Sequence, residues 1–484
     1  MSTEHFDVVV VGAGLSGIGA GYHLQTECPE RTYVILEGRE SIGGTWDLFR
    51  YPGVRSDSDM FTLGYSFRPW KHPKAIAEGA TILSYIRDTA AMYGIDRKIR
   101  FSHRVVSASW SSADALWTVT AERGPEKTKV VFTASFFFAC SGYYDYAAGY
   151  TPAFPGIERF KGRVIHPQKW TADVDYSGKR VVVIGSGATA VTLVPELAKK
   201  AAHVTMLQRS PTYVLSRPDE DALANWARDK VSDTTAYGAT RWKNVLLGMF
   251  FFQLSKRRPE YVKSRILAGV RAELGPEYDV DSHFTPRYRP WDQRVCLVPN
   301  GDLFRSIREG HATVVTDTIS TFTETGIELS SGATLDADLV VTATGLELKV
   351  LGGVTIEVDG AVVDFSKTIA YKGMMFSDVP NFASCFGYTN ASWTLKCDLT
   401  CGYVCRLLNR MRARGYRQCT PRFDEASAER RPWMDFTSSY IQRNIANFPS
   451  QGARAPWKLH QNYALDLLSL RFGRLDDGAM EFAR

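Results

Sequence analysis

Two short apolar runs, each followed by a glycine-rich turn, dominate the hydrophobic pattern of the chain. The first run covers residues 6–11 and leads into the turn at 12–17, after which small and apolar residues continue to about Leu24. A β-branched run of this length predicts a buried strand, and the stretch behind the turn predicts a helix. A further apolar run at 32–36 predicts a second strand, which ends in Glu37. Strand, turn, helix and strand in this order are typical of a dinucleotide-binding unit.

The first turn has the GxGxxG spacing, with Gly12, Gly14 and Gly17. Such glycines allow a tight turn, let the backbone approach a pyrophosphate and let the helix pack on its strand. The N-terminus of the helix would add amide donors and a positive dipole. Glu37, about twenty residues further on, would accept hydrogen bonds from ribose hydroxyls and would repel a 2′-phosphate. The site therefore suits FAD or NAD and disfavours NADP.

A second unit repeats this arrangement with one change of charge. Residues 180–184 predict a strand. The turn behind it contains, in order, Gly185, Ser186, Gly187, Ala188 and Thr189. The next strand, at 203–207, is followed by Arg209 and Ser210 at the place where the first unit has Glu37. A guanidinium there can pair with a 2′-phosphate, and a serine can donate to it. We therefore predict FAD at the first site and NADPH at the second; the alternative is that Arg209 is a solvated surface charge.

The remaining pattern predicts an α/β fold with two Rossmann-like dinucleotide-binding domains, the first of them discontinuous. Residues 135–139 predict the strand that closes its first segment, whereas 312–317 and 339–343 predict strands of the second domain. The stretch 218–289 is rich in helix formers and shows no strand alternation, which predicts a helical insertion. We expect an FAD-binding domain at 1–145 and 346–484, an NADPH-binding domain at 150–215 and 291–345, and the insertion at 216–290.

One segment of the insertion, residues 244–252, is strongly apolar and is followed by Lys256, Arg257 and Arg258. It is too short to span a bilayer. A buried helix or a wall of the substrate entrance is the favoured interpretation, and an interfacial membrane anchor is the alternative.

The overall composition changes this picture little. The 484 residues carry a formal net charge of +6, which suits anionic cofactors. No segment resembles a nucleic-acid-binding motif. The first apolar run is the predicted strand itself, so we expect no secretory signal and a cytoplasmic protein. Eight scattered cysteines fit a reducing compartment. Cys397, Cys401 and Cys405 recur at helical spacing, which favours a cysteine-lined core face over a redox or metal cluster, so we predict no metal site.

Further motifs coincide with those of one known family. Residues 160–170 match the fingerprint FxGxxxHxxxW through Phe160, Gly162, His166 and Trp170. The stretch 43–57 matches a second motif, GGxW followed by aromatic-Pro-Gly and an Asp, and more matches lie at 291–294, 343–345 and 387–393. On these residues the chain resembles, over essentially its whole length, the class B flavoprotein monooxygenases. Among them it is most similar to the Baeyer–Villiger monooxygenases, in the subgroup typified by the mycobacterial ethionamide-activating monooxygenase.

The chemistry of such an oxygenase sets requirements that the resemblance assigns to residues. Reduced flavin reacts with oxygen to give a C4a-peroxyflavin, whose anion attacks the carbonyl carbon of a ketone. The protein must exclude water, place a cation near the peroxide and keep NADP⁺ bound. The resemblance implies that Arg294 is this cation and that Asp57 positions it and tunes its charge. The alternative is a structural ion pair between the two side chains.

The resemblance also implies cofactor and substrate contacts. It places beside the flavin and the nicotinamide nucleotide Gly44, Thr45, Trp46, Asp47, Arg55, Asp57, Thr344 and Gly345. Asn390 and Trp393 would approach the substrate pocket. His166 and Trp170, on the connection between the two domains, would control relative domain movement and cofactor position rather than exchange protons with the substrate.

The sequence thus predicts an FAD-containing, NADPH- and oxygen-dependent Baeyer–Villiger monooxygenase that converts ketones to esters or lactones. Sulfides and thioamides are expected as secondary substrates. The nearest alternative is an N- or S-oxygenating flavin monooxygenase without ketone activity. A pyridine-nucleotide-dependent flavin reductase is a second alternative, although no CxxC pair accompanies the predicted flavin site.

Overall fold

The computed structural model describes residues 3–424, 429–434 and 436–484. In chain order the strands are β1 (Glu4–Val11), β2 (Tyr33–Leu36), β3 (Ile99–Arg100), β4 (His103–Ser111), β5 (Leu116–Arg123), β6 (Thr128–Ala139), β7 (Tyr144–Gly149), β8 (Arg163–Ile165), β9 (Arg180–Ile184), β10 (His203–Gln208), β11 (Val214–Arg217), β12 (Cys296–Pro299), β13 (Ala312–Thr316), β14 (Ile319–Phe322), β15 (Gly326–Leu329), β16 (Thr334–Asp336), β17 (Leu339–Thr342), β18 (Leu346–Leu348), β19 (Thr355–Val358), β20 (Ala361–Val362), β21 (Ala370–Tyr371), β22 (Met375–Phe376), β23 (Phe382–Ser384), β24 (Gln418–Pro421), β25 (Arg430–Pro432), β26 (Ser450–Gly452) and β27 (Met480–Ala483).

The α-helices are α1 (Leu15–Glu27), α2 (Thr45–Leu48), α3 (Met60–Leu63), α4 (Gly79–Met92), α5 (Ala188–Leu197), α6 (Ala222–Arg228), α7 (Asp233–Arg257), α8 (Pro259–Leu274), α9 (Val280–Phe284), α10 (Asp302–Arg308), α11 (Trp393–Arg414), α12 (Ser439–Gln442) and α13 (Tyr463–Leu467). A π-helical turn, Leu468–Phe472, continues α13.

The first sheet combines a parallel half with an antiparallel half. Strands β3, β2, β1 and β6 lie side by side and run parallel. The first part of β6 also pairs antiparallel with β5, which pairs with β4. The four last residues of β1, Val8 to Val11, are buried, as a central parallel strand covered on both faces requires. The predicted strand-turn-helix-strand unit at the N-terminus is confirmed.

The second sheet is entirely parallel, in the order β13, β10, β9, β17 and β8. Strand β9 has the predicted limits, and β10, β13 and β17 each differ from the predicted strands by one residue at the C-terminal end. The fold class predicted from the sequence, α/β with two dinucleotide-binding sheets, is confirmed.

After the second sheet the chain returns to the first sheet. Strands β19 and β20 extend its antiparallel edge, while β23 pairs parallel with the end of β6. Helix α11 packs along α1, and the Ser16 hydroxyl lies 3.2 Å from the Sγ atom of Cys397. Cys397, Cys401 and Cys405 are buried and unbonded in this helix, which confirms the predicted cysteine-lined core face.

The predicted helical insertion is formed by α6 to α9, and α7 docks it on the first unit. The guanidinium of the buried Arg241 donates from Nη1 to the carbonyl oxygens of Phe61 and Gly64 at 2.8 and 2.7 Å. Its Nη2 atom lies 3.3 Å from Asp398 of α11. A buried cation that satisfies backbone carbonyls and one carboxylate fixes the helix in one position.

The apolar segment 244–252 lies in α7 and is not the buried helix that the sequence favoured. Val245 and Met249 pack against Tyr388 and Leu395. The opposite face, with Leu246, Leu247, Phe250 and Phe251, is 43–59% exposed. One side of the segment therefore packs against residues of the protein interior, and the other side forms an apolar patch on the surface. In the described part of the chain, no helix has the length and apolar character needed to cross a membrane.

A charged cluster joins α1 and α11 beside this docking site. His23 Nδ1 lies 2.6 Å from Glu27 Oε1, and His23 Nε2 lies 3.7 Å from Asp398 Oδ1. Burial acts to lower the pKa of His23, but the two carboxylates outweigh it and raise the pKa to about 9. His23 is therefore a cation in the folded protein at neutral pH.

We expect the stability that His23 contributes to be fully present below about pH 6.5, its unfolded pKa, and lost as the pH rises through about 9. When the pH is raised from about 6.5 to about 9, the unfolding free energy of the wild type should fall by about 1–3 kcal/mol more than that of His23→Gln. Urea denaturation at both pH values measures the difference, with His311→Gln as a control at an exposed histidine. An equal loss in the wild type and His23→Gln would contradict the assignment.

Candidate functional site

A cavity of about 520 Å³ lies at the carboxyl ends of the parallel strands of the first sheet, where open α/β sheets bind their ligands. Its wall combines the first glycine turn, the end of β2, the stretches 43–46, 56–58 and 140–147, and residues from the second half of the chain. Of the predicted site residues, the wall contains Gly12, Gly14, Glu37, Gly44, Thr45, Trp46, Asp57, Arg294 and Trp393.

The first glycine turn has no room for side chains. Gly12 has φ of +100°, and a Cβ atom there would lie 2.7 Å from the carbonyl oxygen of Cys140. At Gly17 a Cβ would lie 1.8 Å from the oxygen of Gly12. Gly14 is the N-cap of α1 and supplies no side-chain cap. The first N–H groups of α1 are therefore left free of a capping side chain at the cavity.

Glu37 is buried at the tip of β2 and binds the turn itself. Its carboxylate accepts hydrogen bonds from the backbone N–H of Ala13 at 2.7 Å and of Arg39 at 2.9 Å. Burial raises the pKa of Glu37, and these two donors act in the opposite direction. The carboxylate thus has a structural role in shaping the turn in addition to the ribose contact predicted from the sequence.

The motif at 43–57 crosses from the cavity to the second sheet. Gly44 faces Gly14 so closely that a Cβ would lie 3.1 Å from its Cα, and the Thr45 hydroxyl lies 3.3 Å from that of Tyr146. Further along, Tyr51 belongs to the core of the second sheet. A Cβ on Gly53 would lie 3.0 Å from Glu196 of α5.

Two polar residues of this motif point away from the cavity. Asp47 is buried and its carboxylate pairs with Arg39, Arg50 and Arg87 at 2.7, 2.6 and 3.0 Å. Arg55 pairs with Asp302 at the start of α10, with Nη1–Oδ2 at 2.5 Å. Neither side chain is part of the cavity wall. Asp47 thus holds three arginines, of which Arg39 lines the cavity, and Arg55 links the first unit to the second, whereas the sequence placed both Asp47 and Arg55 along the flavin.

Arg294 and Asp57 form an ion pair on the cavity wall. Arg294 precedes β12, and its Nε atom lies 2.8 Å from Asp57 Oδ2. The side chains are 38% and 31% exposed, and both line the cavity, so part of this surface faces its interior. Asp57 raises the pKa of Arg294 above its ordinary value, although burial opposes this. The guanidinium is permanently charged.

Three tyrosines surround this cation. Tyr143 and Tyr144 line the cavity, and their hydroxyls lie 3.0 Å apart. Burial raises the pKa of Tyr143, Tyr144 and Tyr440, while the charge of Arg294 acts to lower it. All three therefore stay protonated at neutral pH and are neutral hydroxyl groups beside the cation.

The second glycine turn lies at the end of β9. Gly185 has φ of +134°, and a Cβ there would lie 2.3 Å from the Ala343 oxygen, whereas a Cβ on Gly187 would meet open space. The Ser186 hydroxyl donates to the Ser210 carbonyl at 3.1 Å, which ties the turn to the end of β10. Arg209 and Ser210 are exposed there. Ala188 and Thr189 begin α5.

In the part of the chain that the structure describes, Arg209 forms no ion pair. Its guanidinium is therefore available to an anion beside the second turn.

The fingerprint residues divide into packing and connection. Phe160 belongs to the core beneath β14 and β15, and a Cβ on Gly162 would lie 2.5 Å from its ring. Trp170 packs in the core of the second sheet against Tyr176. These three contacts are structural and do not reach either glycine turn.

His166 fastens the two strands that connect the sheets, β7 and β18, which pair with each other. Its Nε2 donates to the Gly345 carbonyl at 3.0 Å, and its Nδ1 accepts from the Gln168 N–H at 3.1 Å. Burial lowers the pKa of His166, so the ring is neutral with its proton on Nε2. The Thr344 hydroxyl donates to the Tyr150 carbonyl at 2.6 Å and closes the connection from the other side.

The two predicted substrate-pocket residues occupy different places. Trp393 lines the cavity and donates from Nε1 to the Ser16 hydroxyl at 2.8 Å. Asn390 lies behind it and donates to the Gln461 carbonyl at 2.9 Å. The cavity is instead lined by Tyr388, whose hydroxyl donates to the buried Asp466 at 2.7 Å. Asp466 also binds the buried Lys396 at 2.8 Å.

Sequence reasoning missed several wall residues. Tyr143, Tyr144 and Tyr146 lie four to seven residues beyond the end of β6, at and just inside β7, and the carboxyl end of a parallel strand is the signal that could have identified them. Tyr388 lies inside a motif that had been recognised. Tyr440 and Asp466 do not line the cavity but support Arg294 and Tyr388 from behind, and they carry no local signal in the sequence.

We expect Gly162→Ala to lower the unfolding free energy by about 1–3 kcal/mol, because its Cβ would overlap the Phe160 ring. Gly187→Ala, which meets open space, should change it by less than about 0.5 kcal/mol. Chemical denaturation of both variants measures this. Equal stability of the two would refute the packing role of Gly162.

Comparison with known proteins identifies the family to which the chain is similar. A family model described as flavin-binding monooxygenase-like matches residues 6–227. The FAD-containing monooxygenase EthA of Mycobacterium tuberculosis (strain ATCC 25618 / H37Rv) is 54% identical over 483 residues, which cover 100% of this chain and 98% of the relative. The probable FAD-binding monooxygenase AlmA of Acinetobacter baylyi (strain ATCC 33305 / BD413 / ADP1) is 48% identical over 481 residues, covering 99% and 96%.

Solved structures share the fold. The open crystal structure of cyclohexanone monooxygenase matches with a TM-score of 0.76 and 22% identity, over 100% of both chains. A crystal structure of OTEMO in complex with FAD and NADP matches with a TM-score of 0.77 and 20% identity, also over 100% of both chains.

Proposed function

The chain belongs to the flavin-binding monooxygenase-like family, and from this premise we propose that it is an FAD-containing, NADPH- and oxygen-dependent Baeyer–Villiger monooxygenase. In this reaction a ketone, oxygen, NADPH and a proton give an ester or lactone, NADP⁺ and water. One oxygen atom enters between the carbonyl carbon and a neighbouring carbon, and the other leaves as water. The observation that carries the proposal is the Arg294–Asp57 pair on the cavity wall.

The cavity fits a flavin nucleotide. The close-packed turn at Gly12 and Gly17 and the uncapped N-terminus of α1 would receive its pyrophosphate. Glu37 at the tip of β2 is placed to meet a ribose. The Ser141 hydroxyl lines the cavity and is buried without a hydrogen-bond partner in the described residues, so it can bind a ligand. When bound, the flavin supplies hydride acceptance from NADPH and the activation of oxygen.

The second turn fits a phosphorylated nucleotide. Gly187 is the N-cap of α5 and has open space in front of it, where a pyrophosphate could approach the backbone. Arg209 and Ser210 would bind the 2′-phosphate that distinguishes NADPH from NADH. Thr344 and Gly345 stand at the end of β17, on the same edge of the sheet.

Arg294 would stabilise the negative charge that develops on oxygen during attack on the carbonyl carbon. Asp57 contacts Nε and leaves the Nη groups, with four further N–H donors, to other acceptors. The carboxylate thereby fixes the direction of the guanidinium and prevents free rotation. Tyr143 and Trp393 stack on each other in the same cavity wall, and with a bound flavin they would limit the water that reaches this charge.

Sulfides and thioamides are proposed as secondary substrates, because a soft sulfur atom accepts an electrophilic oxygen without passing through a tetrahedral intermediate that carries negative charge on oxygen. An enzyme limited to N- or S-oxygenation would turn over sulfides but no ketone. A flavin reductase would consume NADPH with an added acceptor in the absence of oxygen. Product analysis with a ketone, a sulfide and an anaerobic acceptor distinguishes the three.

We expect Arg294→Ala to keep NADPH-dependent flavin reduction within about threefold and to lower ketone oxygenation by about 10²–10³-fold, because the charge on oxygen loses its cation. Stopped-flow reduction and gas chromatography of the ester measure the two steps. Arg97→Ala, at an exposed arginine in the short turn before β3 and outside the cavity wall, is the control. Ester formation at the wild-type rate in Arg294→Ala would end the assignment.

We expect Arg209→Ala to raise the KM for NADPH by about 10-fold or more while the KM for NADH changes little, because only NADPH carries the 2′-phosphate. Gly187→Ala should raise both constants, since its Cβ would stand between the backbone and either pyrophosphate. Steady-state kinetics with both coenzymes separates the effects. Parallel changes for NADPH and NADH in Arg209→Ala would exclude the phosphate contact.

A further inference from the structure

The outer face of α7 and the C-terminal helix present an apolar surface that nothing in the proposed reaction uses. On α7 it consists of Trp242, Leu246, Leu247, Phe250 and Phe251, which are 43–59% exposed. On α13 and its π-helical continuation it consists of Leu465, Leu468 and Phe472, which are 47–69% exposed. We call these eight residues the apolar face.

The two stripes follow helical spacing and meet. Trp242, Leu246 and Phe250 recur every fourth residue, and Leu465, Leu468 and Phe472 recur after three and four. The rings of Trp242 and Tyr463 lie 5.7 Å apart, which brings the first turn of one stripe beside the start of the other. Large side chains exposed singly need no explanation, but a stripe on each of two touching helices is a binding surface.

Within the described residues, unpaired arginines stand at the ends of the apolar face. Residues 242–258 contain four basic side chains and no acidic one, and the two lysines among them pair with acids of neighbouring elements. Arg257 and Arg258 end the stripe on α7, and neither has an ion pair in the described ranges of the chain. On the C-terminal segment Arg471 lies with its guanidinium 5.9 Å over the Phe472 ring. The one acid there, Asp466, is buried against Lys396.

We infer that the apolar face docks the protein on an anionic lipid surface. A helix that lies in a membrane interface needs an apolar stripe, flanking arginines and aromatic side chains, and all three are present. Pairing of two copies through this face would instead bring two positively charged rims into one interface, which electrostatics disfavours. The inference does not depend on the proposed reaction.

The docked position follows from the same helix. Its inner face, with Val245 and Met249, packs on Tyr388, which lines the cavity. Side chains that insert into the lipid are therefore one helix diameter from the wall of the cavity, about 10 Å. Docking would place the cavity next to the hydrocarbon region rather than on the far side of the protein.

Vesicle flotation of the full chain tests the inference. Vesicles of phosphatidylcholine with about one third phosphatidylglycerol should bind the wild type, and salt should weaken binding because it screens the arginines. L246Q/F250Q should lower the partition coefficient at least about tenfold, since two inserted side chains lose their apolar contact. R257Q/R258Q should lower it by about tenfold on anionic vesicles and leave binding to pure phosphatidylcholine unchanged.

Matched controls keep the result specific. Val362→Gln and Arg97→Gln change side chains that are exposed elsewhere, and both should float as the wild type does. Unchanged far-ultraviolet circular dichroism and melting temperature would establish that L246Q/F250Q is folded. Absence of wild-type binding to anionic vesicles would overturn the inference. A wild-type dimer that L246Q/F250Q converts to a monomer, with no flotation of either protein, would overturn it in favour of a second copy.

Discussion

The ion pair between Arg294 and Asp57 brings the two halves of the molecule to one point. Asp57 lies in the segment that leaves the first sheet, and Arg294 comes from the loop before β12, which belongs to the core of the second sheet. The two side chains are partly exposed on the cavity wall, and their atoms meet only where the two halves of the molecule approach each other closely. A few residues earlier along the chain, Tyr51 and Gly53 pack against the second unit, and Arg55 forms an ion pair with Asp302. These contacts hold the two halves in the same relative position.

The parts of this structure that the sequence predicted are those fixed by local physics. Gly12 and Gly185 have a positive φ, and a Cβ atom on either would lie within 3 Å of a carbonyl oxygen. Only glycine fits these positions, so the sequence alone marks the two turns. Continuous apolar runs gave the parallel strands to within a few residues. The meeting of Arg294 with Asp57 was expected through family resemblance alone, since 237 residues separate them and no spacing rule connects them.

Long-range polar pairing decided what the sequence could not predict. Arg55 stands in a motif that borders the cavity, but Asp302 lies closer to it than the cavity does. Asp47 is held by three arginines, one of them from α4. The sequence of the apolar segment in α7 does not indicate which of its faces is buried. That orientation depends on Arg241, whose guanidinium donates to carbonyl groups of the first unit. Such choices depend on which partner lies nearest in space.

The discontinuous first sheet determines the order in which the two sheets can form during translation. All strands of the second sheet lie between Arg163 and Thr342, so this sheet can close while the ribosome is still translating. The first sheet begins at Glu4 but receives β23 only at Phe382, and α1 meets its partner α11 later still. At ordinary translation rates that interval lasts on the order of tens of seconds. Until then one side of α1, and the end of β6 once it has been synthesised, have no partner, so the nascent chain exposes the kind of apolar surface and open strand edge that chaperones protect.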